Sequence, residues 1–284
     1  MGTLHARVFA AAAGARLEGV LDVDREAAAR VARAYGARAL GTFAEAVERA
    51  DLVVVATPTP LHFAHAELAI AAGRVVLVEK PLAASAAKAN ALCDAARAHG
   101  VPLLVGHSER FNPVVRALVR ETRDAEVTRV LTRRTAARSL EREDLCVNLA
   151  VHDIDIVALL ARSPAALVGA SGGADDAEIV LRAGSTHAWA RVARGVAPRV
   201  RAIRVEASRA SWEGDLAARS LLRDGAPVAL DDLEPLALQA SAALRACAGE
   251  PSAVAFGVDG ARAVEVAERA AAQLADRARV SAAE

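Results

Sequence analysis

Of the 35 cationic side chains in the chain, only Lys80 and Lys88 are lysine and the other 33 are arginine. Lys80 stands in Val75-Val76-Leu77-Val78-Glu79-Lys80-Pro81. The four apolar residues, three of them β-branched, read as a buried parallel strand with a Glu-Lys-Pro step at its carboxyl end. Ligands of open α/β sheets bind at that end. Lysine offers something arginine does not, a compact ammonium whose pKa burial lowers into a working range. Lys80 is therefore the first candidate for chemistry, against the plain alternative of a surface lysine snorkelling from a strand end. Gly2 and Asp22 form a second pair. A helix runs from Gly2, and Asp22 closes the next apolar run about 20 residues on, where an acid binds ribose hydroxyls in dinucleotide-binding units. The alternative for Asp22 is a loop cap.

The elements that position these residues follow from hydrophobic periodicity. After the helix from Gly2, on which Leu4, Val8 and Ala11 share a face, strands are expected over 17–21, 52–56, 75–78 and 102–105. Helices are expected over 25–35, 43–49, 63–72 and 85–99. This alternation implies βαβ units and a doubly wound, Rossmann-type parallel sheet. The pattern then changes. Gly106-His107-Ser108-Glu109-Arg110-Phe111-Asn112-Pro113 leads into a helix ending near 121, a long strand covers 126–135, and His152-Asp153-Ile154-Asp155 lies on a helix over 145–162. Strand-like runs at 167–171, 178–182, 187–192, 199–207 and 210–217 have no helix between them, and their alternation suits an antiparallel sheet. Helices over 234–248 and 260–277 close the chain. The expected division is a dinucleotide-binding domain over 1–106 and an α+β substrate and oligomerisation domain over 107–284.

Composition excludes several classes. Net charge is +0 with no basic block, which argues against nucleic acid as a partner. Hydrophobic residues make up 54% but aromatics only 3%, so Ala, Val and Leu must fill the core. Cys93, Cys146 and Cys247 are outside any metal spacing and read as thiols of a reducing cytoplasm, with no metal. No stretch is apolar for the ~18 residues a spanning helix needs, and the start lacks a charged region followed by an apolar run. The expectation is a cytoplasmic protein without a membrane partner.

In order and spacing, five motifs resemble the glucose-fructose oxidoreductase, inositol dehydrogenase and rhizopine-catabolism family of NAD(P)-dependent dehydrogenases. They are Ala56-Thr57-Pro58 with His62 after it, Glu79-Lys80-Pro81, Gly106-His107 with Arg110-Phe111-Asn112-Pro113, His152-Asp153-Ile154-Asp155, and the Phe256-Gly257-Val258-Asp259-Gly260 lead into the last helix. The resemblance implies oxidation of a sugar or polyol carbinol, with hydride passing to a nicotinamide. His152 would be the base, since imidazole titrates nearest working pH, and Lys80 would hold the oxygen as charge develops on it. Thr57 and Pro58 would line the nicotinamide side, with His62 among the cofactor residues. Glu79 either meets the cofactor ribose or bonds backbone. Asp155 either orients His152 or caps locally, and His107 and Arg110 either face substrate or form a hinge. Asp22 favours NAD over NADP, because its carboxylate would repel a 2'-phosphate.

Two departures from the family pattern stand out. The family usually has an aspartate four residues before the histidine; here that position is Asn148, which hydrogen-bonds but accepts no proton. The first strand and its Gly-x-Gly-x-x-Gly turn are absent, with Gly2 where the third glycine would be, so the chain reads as truncated at that end. The segment from Gly106 to Pro113 and the helix from Asn148 to Asp155 look most like nucleotide-sugar enzymes that oxidise the 3-hydroxyl of UDP-N-acetylglucosamine. Inositol-type polyols and a degenerate, non-catalytic binding or scaffold protein are the alternatives. Family members pair through the open sheet face of the second domain, which implies a homodimer or homotetramer.

Overall fold

The computed structural model describes residues 1–137, 144–196 and 198–281. Its first stretch runs α1 (Gly2–Ala11), β1 (Gly19–Val20), α2 (Arg25–Ala34), β2 (Arg38–Ala39), α3 (Phe43–Arg49), β3 (Leu52–Val55), α4 (Thr59–Ala71), β4 (Val75–Glu79), α5 (Ala86–His99) and β5 (Leu103–Gly106). A 3-10 turn, Ser108–Phe111, leads into α6 (Pro113–Glu121) and β6 (Val127–Ala136). A π-helical turn, Cys146–Ala150, then runs into α7 (Val151–Ala161). The strands that follow are β7 (Ala166–Gly172), β8 (Asp176–Ala183), β9 (Thr186–Arg194), β10 (Arg201–Ala207), β11 (Ala210–Asp215), β12 (Ser220–Arg223) and β13 (Ala226–Pro227). The chain ends with α8 (Pro235–Cys247), β14 (Ala255–Phe256) and α9 (Gly257–Ser281).

Two compact units result, one of Met1–Ser108 with Leu233–Ala261 and one of Glu109–Asp232 with Arg262–Glu284. A boundary at 106/107 leaves out the return of 233–261 to the first unit. That return is made by β14, which pairs antiparallel with β5, and by α8 against α1, where Arg7 forms an ion pair with Glu234.

Local chemistry places the helices of the first unit. The Asp24 side chain accepts from the amides of Glu26 and Ala27 to start α2, and Thr42 and Ser85 do the same for α3 and α5. Gly100 ends α5 in the left-handed region at φ 66°, where a side chain would be strained. On α1 the buried face is His5, Ala6, Val8 and Phe9, whereas Leu4, expected inside, is exposed. The parallel sheet is divided in two: β1 pairs only with β2, and β3 is the edge of a four-stranded sheet ordered β14-β5-β4-β3. In a doubly wound sheet the first strand lies between the second and fourth. Those are β1 and β3 here, and no described strand bridges them.

The second unit is an eight-stranded sheet, ordered β13-β12-β11-β10-β6-β9-β8-β7, with α6, α7 and α9 supplying the rest of its core. Its pairings are antiparallel except between β6 and β9. Val130, Ile179, Ala188 and Ala190 pack on one face with Ile154 and Ile156 of α7.

Cys146, at the start of the π-helical turn, is 1% exposed. Burial, with the nearby charge of Asp144 acting the same way, pushes its thiol up to about 12. Since the thiolate is the reactive form, Cys146 in the native protein should react with a thiol reagent roughly a thousandfold more slowly than a free cysteine. Unfolding should abolish the difference; comparable native rates at Cys146 and the half-buried Cys93 would contradict it. The unfolded chain ionises this thiol first, so the group's contribution to stability is full below about pH 9 and is lost as pH rises toward 12.

Candidate active site

The cofactor residues expected from the sequence all lie in the first unit. Asp22 follows β1, Thr57 and Pro58 follow β3, and Glu79 and Lys80 end β4, each at the carboxyl end of a parallel strand. Gly2 is the first residue of α1, and a Cβ there would meet nothing within 4 Å, leaving the helix N-terminus open to close approach. Asp22 is exposed, and its carboxylate accepts from the amide of Asp24 at 2.9 Å. This set suits a dinucleotide, with a helix N-terminus for phosphate and an acid for ribose.

Around Lys80 the side chains are interior. The Lys80–Pro81 peptide is cis. Glu79 is buried; its Oε1 accepts from His5 Nε2 at 2.6 Å and its Oε2 from the Lys80 amide at 3.2 Å. Gly106, its partner across β4 and β5, makes room for that carboxylate: a Cβ there would stand 3.0 Å from the Glu79 Cα and from its carboxyl carbon. His62 is 1% exposed. Its Nδ1 lies 2.8 Å from the Pro81 carbonyl oxygen and its Nε2 2.8 Å from that of Thr57. His107, at the end of β5, is buried as well.

The other expected residues lie in the second unit. Asn148 sits on the π-helical turn and His152 is the second residue of α7, both half-buried. The Arg110 guanidinium donates to both oxygens of Asp155, at 2.8 and 2.6 Å, so two residues expected to serve substrate and base are paired with each other. Asp153, one residue after His152, accepts from Arg134 Nε and Nη2 at 3.0 and 3.1 Å. Glu109 Oε1 accepts from Arg134 at 3.1 Å and from Arg201 at 2.8 Å. Burial raises the Asp153 carboxyl, opposed by the pull of Arg134. Burial also opposes the Arg134 charge, but the carboxylates of Asp153 and Glu109 outweigh it and hold the guanidinium protonated beyond its usual range. The two directions agree physically, because Arg134 has two anionic neighbours whereas Asp153 has, among the described residues, one hydrogen-bonding cation, Arg134.

Sequence reasoning missed His5, Glu109, Arg134 and Arg201, and gave Asp153 no role. A trace of Arg134 is present in the period-two pattern, since Val130, Thr132 and Arg134 share the buried face of β6. His5 had the weaker signal of a polar residue on a buried helix face. Among the described residues no cluster of His, Cys, Asp and Glu could hold a metal ion, and no helix is long and apolar enough to cross a membrane.

Residues 1–107 match the family model described as an oxidoreductase family with an NAD-binding Rossmann fold. Over that stretch the chain is similar to the Gfo/Idh/MocA oxidoreductase family. Over 209 residues it is 32% identical to a UDP-N-acetylglucosamine 3-dehydrogenase of Acidithiobacillus ferrooxidans, an alignment spanning 72% of this chain and 64% of that protein. It is 27% identical over 207 residues to an inositol 2-dehydrogenase of Rhizobium meliloti, spanning 65% and 63%. The chain thus matches somewhat under two thirds of the length of these relatives. A solved structure of the Acidithiobacillus enzyme superposes with a TM-score of 0.86 at 27% identity, covering 96% of this chain and 93% of that one. The fold is a Rossmann-type NAD-binding domain with a second domain built on a mostly antiparallel sheet.

Proposed function

We propose that this protein is an NAD-dependent dehydrogenase that oxidises a secondary hydroxyl of a sugar, and that the sugar is a nucleotide sugar of the UDP-N-acetylglucosamine type oxidised at C3. The observation that carries the reading is Lys80, one of two lysines in the chain, in an interior turn at the carboxyl end of a parallel strand. Lys80 donates to the reacting oxygen and stabilises negative charge there. His152 takes the hydroxyl proton, and Asn148 orients by hydrogen bonding without sharing in proton transfer. NAD, when bound, supplies the carbon that accepts the hydride. Gly2, Asp22, Thr57 and Pro58 are the residues that would hold it. NADH formation on addition of sugar tests the whole reading.

The choice of NAD over NADP rests on Asp22. A carboxylate bonded to ribose hydroxyls is a charge-assisted interaction, so Asp22→Ala should raise the dissociation constant for NAD about 10- to 100-fold and leave NADP binding unchanged or improved. Unchanged NAD affinity by fluorescence titration would remove Asp22 from the site.

The substrate assignment is supported by the 32% identity to the 3-dehydrogenase, while the inositol dehydrogenase keeps a polyol as the second substrate class. A non-catalytic sugar- or nucleotide-binding protein is the second functional reading, favoured by Asn148 and the divided sheet. For assembly, the sheet face opposite α7 has Val180, Trp189 and Leu131 in register across three strands, half-buried and apolar. Such a row suits a second copy of the chain and so a homodimer or homotetramer. The three free thiols suit a reducing cytoplasm.

A further inference from the structure

The residues on either side of Lys80 are each tied to a buried imidazole. Before it, Glu79 is bound by His5, which α1 supplies. After it, the carbonyl of Pro81 faces His62, which α4 supplies and which also faces the carbonyl of Thr57. His5 is 3% exposed, His62 1% and Glu79 7%. A neutral imidazole donates to one carbonyl and a protonated one to both, so the His62 ring is aimed by two oxygens from two different turns.

A buried imidazole costs desolvation that an apolar residue would avoid. The neighbours of His62 on the interior of α4 are Ala66, Ala69 and Ile70, all fully buried, so an apolar side chain would serve packing alone. What the two rings add is connection: α1 to the end of β4, and the turn after β3 to the turn after β4. Lys80 carries its ammonium on a flexible four-carbon stem. The turn at its root is one part of it that the fold fixes, through the two imidazoles. A reacting group held to within ~0.5 Å needs such support from the residues behind it.

We infer that His5, through Glu79, and His62, through the Pro81 carbonyl, are positioning residues that together set where the Lys80 ammonium stands, rather than residues that touch cofactor. The inference rests on the reading of Lys80 as the site lysine. It also makes the Thr57 turn and the Lys80 turn move as one body, because His62 holds both.

The scarcity of lysine supplies the test. In the full chain with exposed Lys88 replaced by arginine, Lys80 is the sole lysine, and reductive methylation with 13C-formaldehyde gives one lysine dimethyl signal beside that of the amino terminus. The expected result is a Lys80 signal displaced from that of a free dimethyl-lysine, which moves toward the free position and sharpens in folded His62→Ala and His5→Ala variants. His5→Gln, which retains a donor for Glu79, should keep the displaced signal, as should the conservative Glu79→Gln. In His62→Ala and His5→Ala, but not in the two conservative variants, kcat for sugar oxidation should fall about 100-fold while KM changes little, as for a misplaced reacting group. A Lys80 signal unchanged in folded His62→Ala and His5→Ala proteins overturns the inference. Movement of the signal without turnover by the parent protein would sustain it and count against the dehydrogenase reading, so the two fail separately.

Discussion

Replacing Arg134 with methionine should destabilise the second unit by about 3–5 kcal/mol, the cost of leaving buried charge without its partner. Arg134 is 3% exposed and donates two hydrogen bonds to Asp153. Glu109 would keep Arg201, but among the described residues Asp153 would keep no cation within hydrogen-bonding distance. The exposed pair of Arg129 and Glu206 is the control, and Arg129→Ala should cost about 0–1 kcal/mol. Both tryptophans, Trp189 and Trp212, lie in strands of this unit, so denaturant unfolding followed by their fluorescence reports on it directly.

The loss should also depend on pH with a definite sign. Burial raises the Asp153 carboxyl, and Arg134, with Arg201 as a lesser influence, pulls it down. In Arg134→Met that carboxyl rises further. A raised folded-state pKa gives stability that is full below the unfolded value, about 3.9, and is lost as pH rises through the folded one. The difference between parent and variant should therefore be smaller near pH 4 than at neutral pH. A difference independent of pH would mean that Asp153 is not the group left unpaired. A double variant, Arg134→Met with Asp153→Leu, should recover most of the loss, because removing both charges of a buried pair costs little.

The second large effect is on turnover. Lys80→Ala should lower kcat/KM for sugar oxidation about 10²- to 10³-fold, the scale measured when one donor to a developing oxyanion is removed. His152→Ala should lower it about 10²- to 10⁴-fold, the usual contribution of a positioned base. Cooperative unfolding of both variants at the parent's denaturant midpoint would exclude loss of the fold as the cause. The two need not add, because groups acting on one proton and one oxygen act as a unit.

Much of this was legible in the sequence wherever local chemistry decides the backbone. Helix α3 begins and ends where Thr42 and the apolar spacing put it, and α5 is bracketed by Ser85 and Gly100. The alternation of strands with helices, then strands alone, pointed to the α/β organisation of the first unit and the large sheet of the second. What was not legible depends on pairing between distant residues. Strand β2 consists of Arg38 and Ala39, both exposed, with no apolar run to mark it, and exists through its register with Gly19 and Val20. The π-helical turn at Cys146–Ala150 lies inside a run that periodicity reads as ordinary helix.

At the candidate site, residue types pointed to Lys80, Asp22 and His152 but not to what holds them. Spacing does not say which of 33 arginines meets Asp153 or Asp155, since the partners lie 19 and 45 residues away. Nor does it say that His5 closes on Glu79 across 74 residues. Residue type singled out the candidates, and only geometry shows what surrounds them.

The most direct measurement is NADH absorbance on mixing this protein with NAD and a panel of UDP-sugars and polyols, beside Lys80→Ala and His152→Ala. The expected result is NADH formation that is fastest with UDP-N-acetylglucosamine and falls at least 100-fold in each variant. Equal rates in parent and variants, or NAD binding without reduction by any substrate, would contradict the assignment of Lys80 and His152 to the reaction.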